Sequence, residues 1–272
     1  MPLRLAAVLF AVCLTGAAWA DGRTVVIAAD PWCPYNCRPD SDHPGYMVEI
    51  ARAAFEPLGY RVVYRTITWS RALRMAAEGR IDGAIGASPL EAHDSALVFS
   101  PGGLGNSVNT LLARQGTTWT YHGPGSLAGR VLGLIQDYDY GPVINEFAAR
   151  HPHQVARLAG ADALEKNLRK LLAGRLDAVV EDRNVVRHAL ARLNLTARTR
   201  DAGEVGVPNP VGIAFTDSTH GRTLAKTLQN AVPRLRRDGR LAAILARYGL
   251  TDWQAPATAA APQARRTEPL TQ

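Results

Sequence analysis

Two stretches of the chain repeat one pattern of apolar and polar positions: "WSRALRMAAEGRIDGAIGA" (residues 69–87) and "LEKNLRKLLAGRLDAVVED" (residues 164–182). Trp69, Leu73, Ala76 and Ala77 fall on Leu164, Leu168, Leu171 and Leu172, the i, i+4, i+7, i+8 stripe of an amphipathic helix. Gly79 and Gly174 then stand where a left-handed C-terminal cap is wanted. Asp82 and Asp177 recur just before a short apolar run in each copy, which assigns them turn or cap duty. The apolar runs read as buried parallel strands, so each copy is a helix feeding a strand, half of a βαβ unit.

Another strand, turn and helix precedes each copy. In the first half "TVVIAAD" is a strand, a loop with two cysteines follows, and "YMVEIARAAFEPLG" is a helix. In the second, "RVLGLI" is a strand, "QDYDYG" a turn, and "PVINEFAARH" a helix with Pro142 near its first turn. The chain is therefore α/β, with two similar lobes in succession. Ligands of open α/β sheets bind beyond the carboxyl ends of the strands. Here those ends carry Asp30, Trp32 and Tyr35, then Ser88, then Gln136, Asp137, Tyr138, Asp139 and Tyr140, and finally Glu181 and Asp182. One set per lobe faces the other across a cleft.

The first twenty residues have a different use. A short positive start, an apolar stretch over residues 5–14 and Ala18-Trp19-Ala20 describe a secretory signal peptide cleaved after Ala20. Acylation of Cys13 is the competing reading, but "FAVC" lacks the usual residues before such a cysteine. Cleavage predicts an exported, periplasmic protein. It leaves Cys33 and Cys37, four positions apart in "PWCPYNC", as the remaining cysteines. An oxidising compartment favours a disulfide, a zinc site would need two more ligands, and the redox motif is C-x-x-C rather than C-x-x-x-C. Closing so short a loop stabilises by about 2 kcal/mol in the chain-entropy model, so its main effect is to fix the loop that carries Trp32 and Tyr35.

Charge changes the picture little. Thirty-one Lys and Arg against 24 Asp and Glu give +7, but the arginines are dispersed and the local cluster at Arg234, Arg236, Arg237 and Arg240 reads as a solvated helix face. No nucleic-acid partner is expected. After Trp253 the composition turns to Ala, Pro, Thr and Gln, a disordered tail over residues 255–272. The chain has no G-x-S-x-G elbow, H-E-x-x-H or P-loop, and "GPGSLAG" lacks the spacing of a dinucleotide fingerprint. His151 and His153 are a lone pair on a loop. No catalytic residue, cofactor or metal is assigned.

"ADPWCPYN…GYMVEIARAAF…WSRAL…GRIDGAIGA…LVFS" resembles the first lobe of family 3 extracytoplasmic solute-binding proteins, the polar amino-acid receptors of ABC importers. "SLAGRVLGLIQDYDYG…GRLDAVVED…NPVGIAF…LRRDGRLAAILARYGL" is similar to the second lobe and closing segment. The resemblance implies a two-lobed periplasmic-binding-protein type II (Venus-flytrap) fold, monomeric, with two crossing hinge strands near residues 111–114 and 208–215. Its lobes would span residues 21–112 with 210–254, and residues 113–209. It implies a small-molecule solute and a membrane partner, an ABC permease or a sensor. Asp30, Trp32 and Tyr35 match the family's first-lobe loop, and Asp182 matches the aspartate that receives a ligand amine. Residues 136–140 match the turn whose helix N-terminus holds a carboxylate.

Two departures bear on the solute. The family's carboxylate-clamping arginine falls at His93, with Arg71 in "WSRAL" able to replace it from another direction. Asp137 and Asp139 bring acid where the family has glycine and small hydroxyls. The acidic excess predicts an amine-bearing solute. Trp69 heads its apolar stripe and serves the core before any ligand. Asp182, ending a strand, is expected to face water until an amine binds, so its loss should spare the empty fold. The rival function is an enzyme on this scaffold, such as a prephenate- or arogenate-type dehydratase with Glu181 or Asp139 as its acid, and a protein that docks a periplasmic dehydrogenase is a third.

Overall fold

A computed structural model of the chain describes residues 23–255. The signal-peptide cleavage, Cys13 and nearly all of the expected tail lie outside the described residues.

The first sheet is built from β1 (Thr24–Ala29), helix α1 (Tyr46–Phe55), β2 (Arg61–Thr66), α2 (Trp69–Ala77), β3 (Gly83–Ala87), α3 (Pro89–Asp94) and β4 (Leu97–Phe99). β1 runs parallel between β2 and β3. The second sheet follows, with β5 (Gly105–Arg114), β6 (Leu132–Ile135), α4 (Gly141–Arg150), β7 (Val155–Leu158), α5 (Ala163–Leu172), β8 (Ala178–Asp182) and α6 (Arg183–Arg192). β6 runs parallel between β7 and β8. The long strand β9 (Thr199–Thr216) then returns to the first sheet, and α7 (Thr219–Arg237) and α8 (Arg240–Ala246) pack with α1 in the first core.

Both copies of the repeat form the expected helix and strand, α2–β3 and α5–β8. Gly79 and Gly174 take the left-handed conformation after each helix, at φ 68° and 73°. The paired aspartates do the same job in each lobe. Asp82 Oδ2 accepts from the backbone N–H of Val26 at 2.7 Å, and Asp177 Oδ2 from that of Val131 at 2.8 Å. Each carboxylate thereby ties the turn before its strand to the neighbouring strand.

The crossing falls earlier than the 111–114 expected. Gly105, Asn106 and Ser107 pair with Val211, Pro210 and Asn209, and these are the segments that link the sheets. Leu111 and Leu112 already pair with Val180 and Val179 inside the second sheet. Gly212 to Phe215 lie opposite Ala87 to Gly83 in the first. An apolar run such as "TLLA" reads alike in a hinge and in a buried strand, so its pattern could not place the boundary. Among the described residues no helix is long and apolar enough to cross a membrane.

Candidate functional site

Between the sheets, at the carboxyl ends of β1, β3 and β8, lies a cavity of about 350 Å³. Its first-lobe wall starts from the cysteine loop. Cys33 and Cys37 are disulfide-bonded, and the loop folds back so that Trp32 N–H donates to the Asn36 carbonyl at 2.7 Å. The indole of Trp32 stacks on the Tyr35 ring, centroids 4.1 Å apart. Asn36 is fully buried, and its amide nitrogen donates to the Asp30 carbonyl at 2.7 Å and contacts the Tyr64 hydroxyl at 3.1 Å. The rest of this wall comes from the start of α2 and the end of β3. Ser88 caps α3 in a reciprocal box with Glu91, and Trp69 Nε1 donates to Glu91 Oε1 at 3.0 Å.

The second-lobe wall carries Tyr138, Asp139 and Tyr140 before α4, and Glu181 at the end of β8. Two hydrogen bonds cross between the lobes here. Tyr138 donates its hydroxyl to Asp30 Oδ2 at 2.9 Å, and Trp32 Nε1 donates to Glu181 Oε1, also at 2.9 Å. Asp139 Oδ1 accepts from the Gly141 backbone N–H at 2.9 Å, filling the N-terminus of α4 with the chain's own carboxylate. β9 closes the floor with Val205 and Val211.

Among the described residues, four carboxyl groups, those of Asp30, Glu91, Asp139 and Glu181, line the cavity, and no Lys, Arg or His does. Burial dominates the protonation of Glu181, Asp30 and Glu91. It pushes the Glu181 carboxyl up to about 8, with the neighbouring Asp182 and Asp30 charges adding to the rise against the Trp32 hydrogen bond. Asp30 is raised to about 6 by burial despite the bond from Tyr138. Glu91 is raised too, again by burial first, with Asp139 contributing. Near neutral pH Glu181 is therefore mostly protonated while the cleft holds no cation.

The structure brings together Asp30, Trp32, Trp69 and Ser88 from the first lobe and Tyr138, Asp139 and Tyr140 from the second. Trp69 is both 7% exposed in the core and part of the lining. Other expected positions lie elsewhere. Arg71 is exposed on α2, off its buried stripe. The His93 side chain, 86% exposed, pairs with Asp94 at 3.0 Å. Gln136 and Asp137 are exposed and bond each other.

Asp182 needs a larger correction. It is 0% exposed and is the N-cap of α6, accepting from the backbone N–H groups of Asn184 and Val185 at 2.8 and 3.0 Å. Its other oxygen accepts from Tyr35 Oη, Ser107 Oγ and the Val108 backbone N–H at 2.9–3.2 Å. Tyr35 is held in that network behind the Trp32 ring, so both residues support the wall and neither lines it. Glu181, one residue earlier, is the side chain that the strand presents. Asn36 and Glu91 join the lining without having been expected, and for Glu91 the spacing Ser88-x-x-Glu91 was the available signal. Among the described residues no group of three or more His, Cys, Asp or Glu is placed to hold a metal ion.

The model of bacterial extracellular solute-binding proteins, family 3, matches residues 24–251. The chain belongs to that family. Solved structures share the fold of this solute-binding protein. A histidine kinase sensor domain similar to periplasmic binding proteins is 23% identical, with a TM-score of 0.69 over 84% of this chain and 96% of that one. An ancestral arginine-binding protein bound to glutamine is 19% identical at TM-score 0.68, covering 83% and 97%. A structure concerning glutathione import in Streptococcus mutans is 17% identical at TM-score 0.69, covering 85% and 98%. No curated protein matches the sequence.

Proposed function

We propose that the protein is a periplasmic receptor that closes on a small amine-bearing solute and presents its closed form to a membrane partner. The supporting observation is the make-up of the cavity wall, four carboxyl groups with no lysine, arginine or histidine beside them among the described residues. In a partly dry cleft that imbalance favours an organic cation far more than it would at the surface. The rings of Trp32, Trp69 and Tyr138 add faces on which an ammonium can sit. Ligand contacts to both lobes favour the closed arrangement.

Delivery to an ABC importer is the family's usual role. The likeness to a sensor domain of a histidine kinase supports signalling as the alternative readout of the same closure. One observation favours an enzyme instead: a carboxyl raised to about 8 is able to donate a proton at neutral pH.

A thermal-shift screen of metabolites separates these functions. Organic cations should raise Tm with concentration as RT ln(1 + [L]/Kd), and the compound should be recovered chemically unchanged. Binding confined to dicarboxylates or sugar phosphates would contradict the amine reading, and turnover of a hit would favour the enzyme.

A further inference from the structure

Three features of the cavity go beyond a general preference for cations. The first is the absence of a seat for a carboxylate. Asp139 takes the first backbone N–H of α4 and Asp182 caps α6, while Glu91 takes the backbone N–H of Ser88 at 2.9 Å. Arg71 and His93, the cationic groups in reach by sequence, are exposed outside the lining. A solute carboxylate would enter among these acids with no Lys, Arg or His, among the described residues, lining the cavity to pair with it.

The second is the arrangement of the acids in two pairs. Asp30 and Glu181 are bridged across the cleft by Trp32, which donates to Glu181, and by Tyr138, which donates to Asp30, and the Asp30 charge adds to the rise of Glu181. Glu91, held by Trp69 Nε1 at 3.0 Å, feels the Asp139 charge, and both line the cavity. The side chains of Ile85, Val205 and Val211 give the cavity apolar surface that methylene groups would cover.

The third points directly to a donor-bearing ligand. Asn36 Oδ1 and Glu181 Oε2 are buried, on residues 0% and 1% exposed that line the cavity, and neither has a hydrogen-bond partner among the described residues; Oε2 becomes an acceptor once its proton leaves. A buried acceptor left unmatched is destabilising, so each gains from a donor group entering the cleft. An ammonium offers three donors and a guanidinium five.

We infer that the preferred solute is an aliphatic dication without a carboxylate, a diaminoalkane or its guanidino analogue, with one cationic group at each acid pair and the methylene chain on the apolar floor. This rests on the amine reading above and sharpens it. Such compounds are what decarboxylation of a basic amino acid yields, so a reaction of that class would supply the solute.

Matched sets of probes test it, each set a diaminoalkane with the monoamine and the amino acid of the same chain: diaminopentane, pentylamine and lysine; diaminobutane, butylamine and ornithine; agmatine with arginine. Calorimetric titration of the purified protein near neutral pH should find, in at least one set, a dication that binds about tenfold or more tighter than either partner. In that set Glu181→Gln should remove most of the dication's advantage over the monoamine while keeping a cooperative thermal transition. If lysine, ornithine or arginine equals or exceeds its decarboxylated form in every set, or monoamines equal diamines, the inference is overturned and the amine reading stands. If no organic cation binds, both fall.

Discussion

Aligning Gly79 with Gly174 sets the ends of the two repeated strands side by side: Gly86 on Glu181, and Ala87 on Asp182. Both members of the first pair line the cavity. Gly86 takes φ 102°, and a Cβ there would lie 3.4 Å from Asn36 Oδ1 and 3.6 Å from Trp32 Cε3. The first lobe thus has a left-handed glycine packed beside Asn36 and the Trp32 indole, and the second lobe supplies the carboxylate to which that indole donates. In the other pair a buried alanine stands opposite a buried carboxylate that caps a helix. Where the fold alone decides, at Gly79 and Gly174 or Asp82 and Asp177, the copies agree. They diverge at the two positions that meet across the cleft, which assigns the divergence to the ligand site.

The largest expected effect comes from Asp182. Replacing it with alanine takes the acceptor from the Ser107 hydroxyl and three backbone N–H groups and one of two acceptors from Tyr35, and we expect a loss of roughly 3 kcal/mol or more. For a chain of this size that lowers Tm by roughly 6–12 °C in a melting scan. A variant as stable as the parent would return Asp182 to the role of a ligand group. Gly86→Ala follows, with a left-handed backbone and a methyl directed at Trp32. It should cost about 1–3 kcal/mol in denaturant titration, because an alanine is strained at that φ.

Glu181→Gln should act in the opposite direction on stability. The folded chain holds Glu181's proton up to about 8 against an ordinary 4.5. That carboxyl's contribution is therefore complete below pH about 4.5 and is lost as pH rises through about 8. The amide does not ionise, so at alkaline pH the empty variant should be more stable than the parent by on the order of 1–2 kcal/mol, with a flatter Tm profile between those limits. Equal profiles would place Glu181's carboxyl in the ordinary range. Least of all, Arg71→Ala and His93→Ala should change stability by no more than about 0.5 kcal/mol and leave solute affinity as it was. A tenfold loss of affinity in either would bring that side chain back into the cleft.

Much of the frame was legible because it rests on periodicity. The helical stripe, the capping glycines and the apolar runs identified α2–β3 and α5–β8 and, by repetition, the two lobes. The cleft's location followed from strand polarity alone. Which side chain faced it did not. "AVVED" is buried at every position, so no alternation of apolar and polar residues distinguishes the face presented by Glu181 from that of Asp182. Asn36 stands in a loop whose conformation depends on hydrogen bonds to Trp32 and Asp30, and nothing in its spacing announces them. β9 went unrecognised as one strand because Gly203, Gly206, Pro208 and Pro210 interrupt it. It tolerates them where it crosses between sheets.

Proton counting tests most directly whether Glu181 is the second lobe's partner for a cationic solute. Diaminopentane, or whichever organic cation binds tightest, would be titrated calorimetrically near neutral pH in two buffers of different ionisation enthalpy. A cation settling beside Glu181 should expel its proton, so the parent protein should release up to about one proton per solute bound. Glu181→Gln should bind at least about tenfold more weakly and release a smaller fraction. Unchanged affinity and unchanged proton release in the variant would contradict the assignment and move the cation's partner away from the end of β8.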